Sequence, residues 1–183
     1  MTDQPVTDQS VTVTIEVDAD PRLAFEIFTA QIDTWWLRGP KHRFRAPWNG
    51  RLLVLPGPSG RLLEQYADGT SFEIGRVLRW AVGEQIVLSW RLPSFRDTEA
   101  TEVDVRFTAI DGGTRVSVQH RGWSKLRSDH PARHGKTGSE YEYMKAGLWA
   151  DNLAALQTFL ARRRMALADE LTNCRTGPAH KEK

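Results

Sequence analysis

The chain has 183 residues, of which 40% are hydrophobic and 26% charged, and its formal net charge at pH 7 is +2. This length and composition are typical of a single globular domain with a sizeable core, and they exclude an intrinsically disordered chain. The charge is too small to indicate a nucleic-acid-binding protein. The single cysteine, Cys174, excludes an internal disulfide and a multi-cysteine metal site.

The ends of the chain are polar. No apolar run approaches the ~20 residues that span a bilayer, and the first ten residues lack the basic and apolar regions of a signal peptide. We therefore expect no membrane span and a cytoplasmic location. Residues 1–9 are predicted to be a flexible leader, residues 10–168 a single domain and residues 169–183 a flexible tail.

The first regular elements are a strand and two short helices. Val11, Val13, Ile15 and Val17 alternate with polar residues, which is typical of a half-buried strand. An Asp20-Pro21 pair then predicts a helix that begins at the proline and ends near Ala30. A second helical stretch is predicted over residues 31–37, and residues 38–49 are basic and irregular.

The middle of the chain predicts six short strands separated by turn residues, at 51–55, 61–66, 71–80, 85–92, 101–110 and 114–121. The sequence Asp111-Gly112-Gly113 is a strong hairpin signal. Gly75 and Gly83 are candidates for positions at which the sheet bends. The period-two alternation places one set of apolar side chains on the inner face, among them Phe72, Ile74, Ile86, Leu88, Trp90, Val105 and Phe107.

The last element is a long helix that follows a polar loop at residues 124–138. Ser139 and Glu142 have the spacing of a capping box, and the helix is predicted to end between Arg164 and Ala168. Its apolar residues cover about half of its circumference. This width favours a helix embraced by a curved antiparallel sheet of about six to seven strands, in an α+β class.

Several short sequence segments resemble those of a known superfamily. They are Val13–Asp20 with Pro21, the Phe25–Phe28 segment, Trp35-Trp36, Gly75–Leu78 with Ile86–Trp90, and Gly113–Val116 with His120–Trp123. Over residues 10–163 the chain resembles the SRPBCC (START and birch-pollen-allergen-like) helix-grip superfamily. Within it, the chain is similar to the branch named after the C-terminal domain of the ninety-kilodalton heat-shock-protein ATPase activator.

The resemblance implies a helix-grip fold, but it leaves the function open, because one fold hosts many functions. The leading hypothesis is a non-enzymatic protein that binds a hydrophobic or aromatic small molecule between the sheet and the last helix. The first alternative is a chaperone-linked, stress-response interaction protein that uses the basic loop Arg38–Arg45. The second is a cyclase or hydrolase in the same cavity. Full chaperone activators carry a separate N-terminal domain, whereas a short leader precedes the first strand here.

Two polar residues, His120 and Asn152, are the main candidates for orienting a ligand, and Lys145 is a further polar residue of the predicted cavity. His120 shares strand parity with Val116 and Val118, so we expect it to face inward, either as a hydrogen-bonded structural histidine or as a polar anchor or general base. Asn152 falls in the apolar arc of the last helix and is either a structural hydrogen-bonding residue or a ligand contact. Lys145 is expected to extend its ammonium to the cavity mouth.

No catalytic residue, cofactor or metal site follows from the sequence, since it contains no phosphate-binding loop, zinc-protease helix or nucleophile elbow. Tryptophans are frequent, and they serve either as core or as pocket walls. Exposed tryptophans also favour a possible homodimer. The full set of predicted cavity residues is Trp36, Phe72, Ile74, Ile86, Leu88, Trp90, Val105, Phe107, His120, Trp123, Met144, Lys145, Leu148 and Asn152.

Overall fold

The structure is a computed structural model that describes residues 10–42, 44, 45 and 50–175, with side chains up to residue 166. The predicted leader, Arg43 of the basic loop and the end of the predicted tail from residue 176 lie outside the described residues. The strands are β1 (Val11–Val17), β2 (Arg51–Val54), β3 (Arg61–Gln65), β4 (Ser71–Ala81), β5 (Gln85–Trp90), β6 (Thr101–Ile110) and β7 (Gly113–Arg121). The helices are α1 (Pro21–Ala30), α2 (Ile32–Trp35) and α3 (Gly138–Arg175), with short 3₁₀ turns at Trp123–Lys125 and Pro131–Arg133.

The seven strands form one curled antiparallel sheet in the order β1-β7-β6-β5-β4-β3-β2. Each neighbouring pair from β2 to β7 is consecutive in the chain, and β1 returns to pair with β7 along its full length. The long helix α3 packs against β1 and α2. The predicted α+β helix-grip architecture is therefore confirmed.

Period-two alternation decides which side chains enter the core. The register pairs Val105 with Val118 and Val103 with His120 across β6 and β7, so these side chains share the inner face. All four are buried. The inward parity that the sequence predicts for β5, β6 and β7 is confirmed, and it brings His120 toward the buried side of the sheet.

Gly75 lies where the sheet is irregular. The β3–β4 register shifts at Leu62/Leu63, and a Cβ added at Gly75 would lie 1.8 Å from the backbone oxygen of Ser89. Only glycine permits this close approach. Gly83 does not bend a strand as predicted: it lies in the turn between β4 and β5 with φ +77°, a left-handed conformation that favours glycine.

Helix α3 differs from its prediction at both ends. It begins at Gly138, so Ser139 lies in its first turn and the predicted capping box, which needs Ser139 at the N-cap, is wrong. At the other end the helix extends to Arg175, beyond the predicted limit. Between them, a buried stripe with spacings of three and four residues faces the sheet: Tyr141, Lys145, Trp149, Asn152, Leu153, Leu156 and Leu160.

The segment predicted as a polar loop contributes to a second, smaller core. Leu126 and Ala132 are buried together with Phe95, Trp123 and Tyr141. The buried Arg133 guanidinium donates to the carbonyls of Trp123 (2.5 Å) and Leu126 (3.2 Å). These bonds satisfy backbone oxygens that lie outside the sheet. This cluster fixes the 122–134 segment beside the N-terminal part of α3.

Candidate functional site

A pocket of about 590 Å³ lies where the N-terminal half of α3 meets three loops. The loops are residues 40–45, 92–94 and 131–134, and β5 and β7 contribute Trp90 and His120. This volume is within the range of small-molecule sites, which are concave and mainly apolar. The pocket thus lies beside the segments that the sequence shows as a basic loop and a polar loop, residues 38–49 and 124–138.

Four aromatic side chains form much of the pocket wall. Trp36 contacts Trp149 edge to face, with ring centroids 5.7 Å apart, and stacks on Phe44 at 5.6 Å. Trp90 lies 5.4 Å from Phe44 and 5.6 Å from Trp149. Trp36, Trp90 and Trp149 are also buried in the main core. Because packed neighbours hold each ring on several sides, the wall is preformed rather than assembled by a ligand.

His120 is held by hydrogen bonds that define its tautomer. The indole N–H of Trp149 can only donate, so Nδ1 of His120 accepts this bond at 3.1 Å. Nε2 then carries the proton and donates to Oγ1 of Thr101 at 2.8 Å, while the Thr101 hydroxyl donates to the carbonyl of Trp90 at 3.1 Å. Burial and, to a lesser extent, the charge of Lys145 hold the pKa of His120 well below its ordinary value. His120 is therefore neutral, and both of its ring nitrogens are hydrogen-bonded.

Lys145 has an unusual environment for an ammonium. The residue is 7% exposed, and its Nζ lies 4.8 Å from the centroid of the Trp123 ring and 5.4 Å from that of Tyr141. Burial lowers the pKa of Lys145 to about 8. Among the described residues it has neither a salt bridge nor a hydrogen-bonding partner for its side chain. Lys145 lies in the pocket wall, but its side chain is far more buried than a lysine at a cavity mouth, which is what the sequence led us to expect.

Asn152 connects α3 to the basic loop behind the pocket. Its Oδ1 accepts from the backbone N–H of Leu37 at 3.0 Å, and its Nδ2 donates to the Leu148 carbonyl at 2.9 Å and to Nδ1 of His42 at 3.2 Å. Burial holds the pKa of His42 below its ordinary value; the charge of Lys41 acts in the same direction and Asp151 opposes it. Of the two interpretations of Asn152 left open by the sequence, this geometry favours the structural one.

The structure brings five of the predicted cavity residues to the pocket wall: Trp36, Trp90, His120, Lys145 and Leu148. The remaining predicted residues lie elsewhere. Ile74, Ile86, Leu88, Val105 and Phe107 fill the main core, and Phe72 packs against it. Trp123 and Met144 belong to the second core. Tight packing of the strand residues leaves the free volume at one end of the sheet rather than along its inner face.

Loops supply several pocket residues that the sequence pattern did not indicate. Phe44 and His42 come from the basic loop, and Leu92, Pro93 and Ser94 follow β5. No periodic pattern marks loop residues, so only the aromatic content of the basic loop gave a signal. Among the described residues, no group of three or more His, Cys, Asp or Glu side chains is placed to bind a metal ion.

Comparison with known families gives the identity of the fold. A model of the family described as Activator of Hsp90 ATPase homolog 1-like protein matches residues 18–160. The chain belongs to this family. This match confirms the resemblance to the helix-grip superfamily and its heat-shock-activator branch that the short sequence segments indicated. A search of curated proteins finds no match.

Solved structures similar to this family member include proteins of different kinds. PFC0360w, an HSP90 activator from Plasmodium falciparum, has a TM-score of 0.57 and 19% identity, over 83% of this chain and 96% of that one. The Aha1 dimer from Colwellia psychrerythraea has a TM-score of 0.56 and 13% identity, over 83% and 96%. DynU16, from the dynemicin biosynthetic locus, has a TM-score of 0.56 and 20% identity, over 84% of this chain and 48% of that one. At these identities the likeness establishes the fold alone.

Membership of this family is consistent with a role like that of the heat-shock-protein ATPase activators in its description. None of the helices in the described part of the chain combines the length and apolar composition needed to cross a bilayer.

Proposed function

We propose that this family member binds an apolar, aromatic small molecule in the 590 Å³ pocket between α3 and the three loops. The observation that carries the proposal is the preformed aromatic wall of Trp36, Phe44, Trp90 and Trp149 around free volume. Burial of apolar ligand surface against these rings supplies the affinity, at about 25 cal/mol per Å² of surface removed from water before the costs of binding. DynU16, which has the same fold, comes from a biosynthetic locus.

The first test is native mass spectrometry of freshly purified protein, followed by denaturing extraction of any co-purifying molecule. The second is titration with N-phenyl-1-naphthylamine, a neutral aromatic probe whose fluorescence rises in apolar sites. Leu148→Trp fills the pocket from its wall, whereas Ala154→Trp adds the same ring on the exposed side of α3. We expect Leu148→Trp to abolish probe binding and Ala154→Trp to retain it. Equal binding of the probe in both variants contradicts the proposal.

Family membership favours a second candidate function, an interaction with a chaperone or another protein. In the structure two exposed cations of the basic loop are paired with carboxylates, Arg38 with Asp33 and Lys41 with Asp151. These pairs leave less charge for a partner protein than the sequence indicates. Charge-driven association weakens steeply with ionic strength, whereas pocket binding changes little. A pull-down with a ninety-kilodalton heat-shock protein at low and high salt therefore separates the two functions.

A homodimer is a further possibility that the family suggests, since the Colwellia neighbour is described as a dimer. Light scattering after size-exclusion chromatography measures the oligomeric state directly.

A further inference from the structure

Lys145 presents a positive charge that the fold does not neutralise. The residue is more than nine-tenths buried, and within the described part of the chain no carboxylate forms a salt bridge with it. Burying most of an ammonium without a partner costs up to several kcal/mol, because much of its hydration is lost. The two aromatic rings over which it lies recover only part of this cost, since a cation–π contact supplies about 0.5–2 kcal/mol.

The groups that surround Lys145 cannot act as its counter-ion. On β7, His120 is neutral and donates its only proton to Thr101. On α3 itself, burial raises the pKa of Tyr141, so its hydroxyl stays protonated. From the 131–133 turn, the Arg133 guanidinium lies 5.2 Å from the Tyr141 ring and adds a second positive charge. Every titratable or charged neighbour named here is therefore neutral or positive.

The described side chains of the pocket wall likewise include cations but no carboxylate. Its described ionisable side chains are Lys41, His42, Arg45, His120, His134 and Lys145, and no carboxylate is among them. Lys41 pairs with Asp151 on the rim. A low-dielectric site walled by rings and lined by cations attracts an anion more strongly than the same charges would in water.

We propose that the small molecule bound in this pocket carries a single anionic group, a carboxylate or sulfonate, that pairs with the Lys145 ammonium while its aromatic body lies against Trp36, Trp90 and Trp149. This inference rests on the proposed function and specifies the chemical class of the ligand. The anion supplies the missing partner of a largely buried cation, through a charge-assisted hydrogen bond in a pocket walled by aromatic rings. A neutral analogue of the same shape leaves the ammonium unpaired.

A matched pair of probes tests the charge. 8-Anilinonaphthalene-1-sulfonate has the same ring skeleton as N-phenyl-1-naphthylamine with a sulfonate added. Both dissociation constants are measured in the unaltered protein, in Lys145→Met and in Lys145→Arg, and the quantity compared is their ratio. We expect Lys145→Met to weaken the sulfonate probe relative to the neutral probe by about tenfold or more. Lys145→Arg should retain most of the preference, and Lys125→Met, at an exposed lysine, should leave the ratio unchanged.

The outcomes separate the two proposals. If both probes bind and the ratio is the same in Lys145→Met as in the unaltered protein, the anionic ligand is refuted and the aromatic pocket stands. If neither probe binds the unaltered protein, the proposed function fails and the inference fails with it. Thermal melts of each variant establish that a loss of binding is not a loss of fold, and Lys145→Gln serves as a second neutral variant.

Discussion

Replacing Lys145 by methionine removes the buried charge, and the effect can be measured as a change in the free energy of unfolding. Methionine has a similar length and an apolar, flexible side chain, so it fills the same space beside Trp123 and Tyr141 without a charge. In the ligand-free protein the ammonium is a cost to the folded state. Removing it is therefore expected to stabilise the protein, which is the reverse of most substitutions at buried positions.

The size and sign of the effect follow from the pKa. Burial lowers the pKa of Lys145 from 10.5 to about 8, and at about 1.4 kcal/mol per pH unit this corresponds to roughly 3 kcal/mol of destabilisation at pH 7. Attraction to the two rings offsets about 1 kcal/mol, which leaves a net gain of roughly 2 kcal/mol for Lys145→Met. Below pH 8 the amine is protonated in both states and the full cost is present. Between pH 8 and 10.5 the folded state loses its proton first, so the stability of the unaltered protein rises and the difference shrinks.

Urea denaturation of both proteins at pH 7 and pH 10 measures this difference. Lys125→Met, in which an exposed lysine is replaced, controls for the general effect of removing one positive charge. The reasoning is refuted if Lys145→Met is less stable than the unaltered protein at pH 7, or if it is more stable by the same amount at both pH values. The first result would mean that the ammonium makes stabilising contacts, and the second that the gain comes from packing rather than from removal of a charge.

Two further predictions concern the fold around the pocket. Trp149→Phe removes the N–H that occupies Nδ1 of His120, so the pKa of His120 should rise, and an NMR titration that found no change would contradict the assigned tautomer. Gly75→Ala places a Cβ 1.8 Å from the Ser89 oxygen and should cost about 3 kcal/mol or more in urea denaturation. Gly147→Ala, in the open interior of α3, should instead stabilise by about 0.5–1 kcal/mol. Equal effects of the two glycine substitutions would refute the close approach at Gly75.

The sequence predicted the strands well because side-chain alternation is a local property. Ile86, Leu88 and Trp90 share parity, and the sheet buries all three. Helix α3 was located by its apolar arc, but its start was placed one residue late because the spacing of Ser139 and Glu142 fits a capping box equally well without forming one. Periodicity therefore gives the existence and facing of an element more reliably than its first residue.

The site was predicted less completely than the fold because its polar contacts join distant parts of the chain. The partner of His120 is Trp149, 29 residues away, and Asn152 bonds to Leu37 across 115 residues. No spacing rule connects such pairs. The sequence predicted that His120 points inward, but not that both of its ring nitrogens already have hydrogen-bonding partners. It marked Lys145 as a polar residue on an apolar arc, but not that its ammonium would lie over two rings.

The hydrogen bonds of His120 also bear on the enzymatic alternative. A general base needs a free lone pair within reach of the substrate, and the one lone pair of this neutral ring accepts from Trp149. Proton transfer would require breaking that bond and charging a fully buried imidazole beside Lys145, whose charge already opposes it. His120 thus serves to hold Trp149, one ring of the aromatic wall, in place. Among the described wall residues, Lys145 is the buried polar group to which the fold gives no hydrogen-bonding partner, so Lys145 rather than His120 is the group that a polar part of a ligand would contact.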